Sequence, residues 1–238
     1  GIGALVLMLI LSQFLVNPPA GYVPVSSGTP KKQAKKTVST PVRDMGLKDI
    51  IKTSSFYRYW IMFMISSTAG LMIIAHAANI AKVQISWEGG FYLVILLSVF
   101  NATGRISGGA ISDKIGRVNL MRIIFGLQAI NMLVFTFYSN VALLALGIAV
   151  AGFCYGASFS VFPATIMDLY GMKHFGANYG LIMTAWGCGG VLGPMMAAAI
   201  FDASKNYDMA YIVSGILLVI TILISLTFRN KEKTAKVN

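Results

Sequence analysis

The chain has 238 residues, of which 56% are apolar and only 11% charged, with 24 glycines and a net charge of +11. A soluble globular protein carries roughly 25% charged residues, so an ordinary soluble enzyme is excluded, and a disordered chain would be far more polar. With 19 Lys and Arg against 8 Asp and Glu, nucleic-acid binding has to be weighed against where the charges sit.

The charges gather between long uncharged runs: 1–30, 59–81, 123–167, 174–201 and 209–228 carry none, and 89–112 is interrupted only by Arg105. About 20 apolar residues cross roughly 30 Å of hydrocarbon as a helix. The run 123–167 is too long for one crossing and divides at Tyr138-Ser139-Asn140. A membrane barrel would show ~10-residue alternating segments, and these runs do not alternate. The expected class is an all-α membrane protein with six complete spans at 58–81, 90–112, 119–137, 141–165, 177–200 and 209–228.

In chain order, 1–16 reads as a span that is too short, starts without Met and lacks a basic n-region. The expectation is the end of a membrane helix whose earlier part is missing. The segment 17–57 follows as a Pro, Ser, Thr and Lys-rich linker. From Asp44 the pattern changes: Leu47, Ile50 and Ile51 share a helical face beside Lys48 and Lys52, with Asp44 as cap. That predicts a short helix on the inner membrane surface. If 17–57 is cytoplasmic, the same side holds 113–118, 166–176 and the basic tail 229–238, and with Arg58 and Arg122 it carries 16 of the 19 basic residues. By the positive-inside rule the C-terminus is cytoplasmic, in a plasma or bacterial inner membrane. The +11 is then topological. The block Lys31-Lys32-Gln33-Ala34-Lys35-Lys36 fixes orientation and touches anionic lipid rather than nucleic acid.

Cys154 and Cys188 fall inside spans with no CxxC or metal spacing, His76 and His174 are far apart, and no Walker, GxGxxG or Ser/His/Asp pattern appears. Neither an enzyme nor a cofactor or metal site is expected. What carries chemistry is the set of polar groups inside apolar helices. A mid-membrane charge costs roughly 2.5–3.5 kcal/mol on insertion scales, so it faces a cavity or a partner. Arg105 lies about seven residues, roughly 10 Å, from the expected inner end of its span. Ser98 and Asn101 precede it and Gly108 and Gly109 follow it on one face. It reads as a fixed cation lining an aqueous cavity, or as an arginine paired with a carboxylate outside this sequence. His76 is either a proton carrier or a hydrogen-bonded strut. Gln128 and Asn131 read as helix-to-helix hydrogen bonds, and Gly152-x3-Gly156 and Gly189-Gly190-x2-Gly193-Pro194 as sites of close approach or bending. Tyr155 and Trp186 lie well inside their spans rather than at interfaces.

Gly109-Ala-Ile-Ser-Asp113-Lys114-Ile-Gly116-Arg117, in a short loop between the second and third complete spans, resembles the G-x3-D-R/K-x-G-R signature of the major facilitator superfamily. The resemblance implies a twelve-helix fold. This chain would supply the end of helix six, the central loop and helices seven to twelve. An N-terminal six-helix half would then be its partner. A narrower resemblance, to the oxalate/formate antiporter and monocarboxylate porter group, rests on Asn17-Pro-Pro-Ala-Gly-Tyr22, Asn101-Ala-Thr-Gly-Arg105, Phe162-Pro-Ala-Thr165 and Asn178-Tyr-Gly-Leu-Ile-Met-Thr-Ala-Trp186-Gly. In that group an arginine in helix eight binds the substrate carboxylate, and Arg105 occupies its position. Two residues depart from the group. Asn101 stands where the eukaryotic carriers have an aspartate, and Trp186 where the oxalate carrier has a lysine.

The resemblance implies secondary transport of a small carboxylate, most readily a monocarboxylate because one intramembrane cation is present instead of two. Two repeats would rock about a midplane site, as proton symport or anion exchange. Asn101, Arg105, Tyr155, Trp186 and His76 are the substrate-site candidates. Gly109, Asp113, Lys114, Gly116 and Arg117 form a cytoplasmic gate. The alternative is a receptor or scaffold on the same fold, which binds without flux.

Overall fold

The computed structural model describes residues 8–10, 12–13 and 44–228. The chain divides into two compact units, Gly1–Thr40 and Pro41–Asn238. In the first, residues 8–10 and 12 are helical and Ser12 Oγ donates to Leu9 O at 2.8 Å. The remainder of the expected first span, the Lys31–Lys36 block, the Asn17–Tyr22 motif and the tail from 229 lie outside the described residues.

The second unit holds a short helix α1 (Leu47–Ile50) and six long ones: α2 (Ser54–Ile85), α3 (Gly90–Ile115), α4 (Arg117–Val134, continued by a tighter turn Phe135–Phe137), α5 (Val141–Tyr170), α6 (Phe175–Ser204) and α7 (Asp208–Leu226). All six are long and apolar enough to cross a membrane. Each contains its expected span, apart from the last two residues of the sixth, and most run several residues beyond it. A helix that leaves hydrocarbon gains nothing by breaking its i to i−4 bonds, so polar turns such as Ser54–Arg58 and Lys82–Ile85 extend it.

Asp44 does not cap α1, and the side-chain cap that is present belongs to the next helix: Thr53 Oγ1 accepts from Phe56 N at 3.4 Å at the start of α2. The residue before α1 is Gly46, which offers no side chain to cap it. Asp44 Oδ1 instead accepts from Lys173 N at 3.2 Å, while Met45 N donates to Tyr170 O and Asn178 Nδ2 donates to Met45 O. The entry segment is thereby tied to the α5–α6 turn. Of the apolar trio only Ile50 is buried; Leu47 and Ile51 are exposed.

Two helix pairs approach backbone to backbone. Gly104 and Gly108 of α3 face Phe153 O and Ala157 of α5, and Gly152 and Gly156 of α5 face Leu97 O and Asn101 O of α3. A Cβ on Gly152 would sit 2.6 Å from Leu97 O. In lipid there is little hydrophobic gain from helix association, so small residues that admit close van der Waals contact mark the interface. Gly189 and Gly193 of α6 do the same against Met64 O and Thr68 O of α2. α3 and α6 are also the least buried of the six helices.

One end of the second unit is knitted by α2. Gln84 Nε2 donates to Phe135 O and Tyr138 O, and its Oε1 accepts from Tyr211. Tyr138 in turn donates to Asn131 Oδ1, and Asn131 Nδ2 donates to Gly147 O at 2.9 Å. Burial raises the pKa of the Tyr138 phenol above its ordinary value. The expected bridging role of Asn131 is therefore present. That of Gln128 is absent: the residue is buried, and neither amide atom has a partner among the described residues.

Candidate functional site

α3 extends to Ile115, so Arg105 lies ten residues, about 15 Å along the axis, from the helix end. One turn earlier, Asn101 Oδ1 accepts from Arg105 Nε at 3.1 Å. The guanidinium carbon sits 4.5 Å from the centre of the Phe159 ring on α5, and Ser160 Oγ donates to the main-chain carbonyl of Arg105. The close α3–α5 packing makes this possible, since a side chain at Gly156 would drive the Asn101 backbone away. Among the described residues no carboxylate is within ion-pair distance of Arg105, and neither Nη nitrogen has a hydrogen-bond partner. A planar fork of N–H donors is left open, one that can grip a carboxylate with two bonds.

Tyr155 and Trp186 join this group. Trp186 Nε1 donates to Tyr155 Oη at 2.8 Å, linking α6 to α5. The Phe159 ring lies 5.0 Å from that of Tyr155 and meets Trp186 edge-on at 5.9 Å. Trp186 is still 37% exposed, so the aromatic wall has an open face. Arg105 is within electrostatic reach of the Tyr155 phenol and of Tyr179, two turns before Trp186 on α6. Phe159 and Ser160 escaped the sequence reading, and Tyr179 entered it only as part of the Asn178–Gly187 motif, not as a site candidate. A phenylalanine or serine in an apolar span carries no signal of its own, and only their register against Arg105 singles them out.

His76 is placed elsewhere. Its Nε2 lies 3.3 Å from Pro194 O and its Nδ1 3.2 Å from Tyr207 Oη, which also accepts from Asn79 Nδ2 at 2.7 Å. Pro194 is eight residues, about 12 Å, along α6 from Trp186. The histidine thus joins α2 to α6 and to the α6–α7 turn.

At the opposite end, Arg117 opens α4 and meets two carboxylates: Nη1 is 2.6 Å from Asp113 Oδ1, and Nε is 3.0 Å from Asp168 Oδ2 at the end of α5. It also donates to Ser112 Oγ. Gly116, between α3 and α4, has φ 91°, a conformation that other residues adopt only with strain. Lys114 is exposed and in no ion pair among the described residues, and a Cβ on Gly109 would meet nothing within 4 Å. Asp168 is the member of this cluster that the signature does not contain. Among the described residues no three His, Cys, Asp or Glu side chains gather as a metal site; Cys154 is buried and Cys188 exposed, both as free thiols.

The chain is similar to the oxalate:formate antiporter of Oxalobacter formigenes, 26% identical over 215 residues, which is 88% of this chain and 48% of that protein. It is similar to monocarboxylate transporter 14 of Mus musculus, 28% identical over 169 residues, 69% of this chain and 32% of that one. It also matches apicoplast pyruvate carrier 1 of Toxoplasma gondii, 29% identical over 164 residues, 64% of this chain and 28% of that protein. The chain spans about half or less of the length of these relatives, which are named as transporters and not as enzymes. Residues 51–238 match the Major Facilitator Superfamily. With six membrane-length helices and a match that covers most of its length, the chain is an integral membrane protein that belongs to the major facilitator superfamily.

Proposed function

We propose that the full-length protein carries a small organic carboxylate, most readily a monocarboxylate, across the membrane by alternating access. The observation that supports this best is the state of Arg105. It is a membrane-embedded cation whose side-chain partner, Asn101, is neutral and whose Nη nitrogens are open. A neutral acceptor orients the guanidinium without cancelling its charge. In a cavity that excludes bulk water, the attraction for an anion is stronger than in solution. The aromatic wall of Phe159, Tyr155 and Trp186 offers apolar contact beside the cation and no second charge, which suits one carboxylate on a short apolar body.

In this reading Arg105 anchors the carboxylate, Asn101 orients it, and Tyr155 and Trp186 shape the site. His76 serves as a strut on the outer side. The weak burial of α3 and α6 supports a second six-helix half packing on this one. The cluster of Gly109, Asp113, Lys114, Gly116 and Arg117 then forms the cytoplasmic rim of that junction, with the C-terminus on the same side of a plasma or inner membrane. The test is uptake by the full-length protein of a panel of labelled mono- and dicarboxylates, with counterflow from preloaded vesicles. Saturable counterflow of a monocarboxylate is expected; binding without flux would make the protein a receptor or scaffold on this fold.

A further inference from the structure

At the end of the second unit where α2 and α4 begin and α7 finishes, two arginines converge. Arg58 Nη1 donates to Thr227 Oγ1 at 3.0 Å, its Nε and Nη2 donate to Ser54 O at 3.4 Å and Ser54 Oγ at 3.1 Å, which leaves one N–H on each Nη, and its guanidinium lies over the Phe228 ring at 4.8 Å. Arg122 Nη2 donates to Ser225 O at 2.9 Å and Phe228 O at 3.0 Å, and its Nε is buried without a partner among the described residues. Tyr59 stacks on Phe228 at 4.4 Å, and its phenol is within electrostatic reach of both guanidiniums. Among the described residues no carboxylate is within ion-pair distance of either arginine. Arg117, at the same ends of α3, α4 and α5, holds both Asp113 and Asp168.

Helix capping accounts for only part of this pair. The C-terminus of α7 is equivalent to about half a negative charge, set against two full positive ones. The N-termini of α2 and α4, a turn or so away, add partial positive charge of their own. Roughly one and a half positive charges are left at a helix end, where hydrocarbon gives way to headgroups. Exposed Ile123, Leu223 and Leu226, next to these groups in sequence, continue the surface as apolar side chains.

We propose that Arg58 and Arg122, between α2, α4 and α7, bind the phosphate of an anionic membrane phospholipid. Basic pockets between membrane helices recognise such headgroups by charge and N–H donors, and guanidinium forks match phosphate oxygens. The acyl chains lie along the apolar surface below. The site is separate from Arg105, and its occupancy does not depend on what the protein transports.

The test uses the full-length protein, delipidated in detergent and mixed with phosphatidylglycerol or phosphatidylcholine, with bound lipid counted by native mass spectrometry. Wild type is expected to retain phosphatidylglycerol over phosphatidylcholine. Each of Arg58→Gln and Arg122→Gln should lower that retention by about fivefold, the worth of one basic residue near an anionic surface. Lys173→Gln, an exposed cation at the same end, should leave it unchanged. If Arg122→Gln does not fold, Arg122→Lys is read instead; it keeps the charge but loses the fork and should fall between wild type and Arg58→Gln. Equal retention by wild type and the arginine variants would overturn the site. Displacement of the lipid by millimolar inorganic phosphate would overturn the lipid assignment, because the ligand would then be a soluble phosphate.

Discussion

Asn101 Oδ1 accepts the Nε hydrogen of Arg105 at 3.1 Å, one turn along the same helix, and the two Nη nitrogens have no partner among the described residues. A neutral amide here does two things that a carboxylate could not do together. It holds the guanidinium through Nε, and it adds no negative charge to offset the cation.

Removing that charge is the first test. Arg105→Gln should reach the membrane at near wild-type abundance and lose almost all uptake. Arg105→Lys keeps the charge without the fork and should be strongly impaired. Losing a charged, desolvated contact costs roughly 2–5 kcal/mol, or about 30- to several-thousandfold in affinity. Lower abundance with normal affinity in what folds would make Arg105 a strut.

Asn101→Asp puts a carboxylate where the amide oxygen now lies, beside the guanidinium. The new ion pair competes with the substrate, so KM should rise at neutral pH. Protonating the carboxyl releases the guanidinium, so uptake by the variant should increase as the medium is acidified. The check is a pH profile of initial uptake rates for both proteins. An unchanged KM would show that Asn101 does not orient the anchor.

The spans were legible in the sequence because apolar runs bounded by charge are a property of composition, not of contact. The close α3–α5 approach was legible in half: Gly152 and Gly156 are four apart, and the structure sets them against Leu97 and Asn101. The facing pair, Gly104 and Gly108, has the same spacing. What could not be read is which helix meets which. The Trp186–Tyr155 hydrogen bond, the Phe159 ring under Arg105 and the tie from His76 to Tyr207 all join residues far apart in sequence. Asp44 misled because Asp and Gly are both acceptable before a helix: Gly46 precedes α1 without a side-chain cap, while Asp44 reaches across to Lys173.

The same packing gives a prediction about stability. Gly156→Ala places a methyl group against Asn101 O, where the three nearest atoms are all main chain of Asn101 and not the end of a flexible side chain that could yield. Overpacking of this kind costs about 1–3 kcal/mol and should lower the thermal midpoint in detergent by several degrees. It should also reduce uptake, since the displaced backbone carries Asn101. Gly126→Ala is the control: nothing lies within 4 Å of its added carbon, and alanine favours a helix by about 1 kcal/mol, so stability should hold or rise.

The Asp113–Arg117–Asp168 cluster separates stability from function. The carboxylates are 64% and 48% exposed, and exposed ion pairs contribute about 0–1 kcal/mol. Asp113→Asn and Asp168→Asn should therefore unfold within a few degrees of wild type. If the cluster organises the junction with a second half, uptake should fall much more than stability does. Loss of both in parallel would make it a surface brace only.

Trp186→Lys tests what selects the substrate. The indole now donates to Tyr155 Oη, meets the Phe159 ring edge-on and keeps an open face. A lysine at this position removes part of the apolar wall and brings an ammonium to the helix face that carries the indole. A second cation can neutralise a second carboxylate, whereas in the wild type a dianion would leave one charge unmatched in a low-dielectric cavity, at a cost of several kcal/mol. The variant should therefore shift preference from monocarboxylates toward small dicarboxylates, read as the ratio of kcat/KM for the two classes in vesicles. Trp186→Phe, which keeps the apolar wall without the hydrogen bond, should leave that ratio near wild type while weakening both substrates modestly. A lysine variant that folds, transports and shows an unchanged ratio would remove Trp186 from the selectivity argument and leave Arg105 alone to account for the anion.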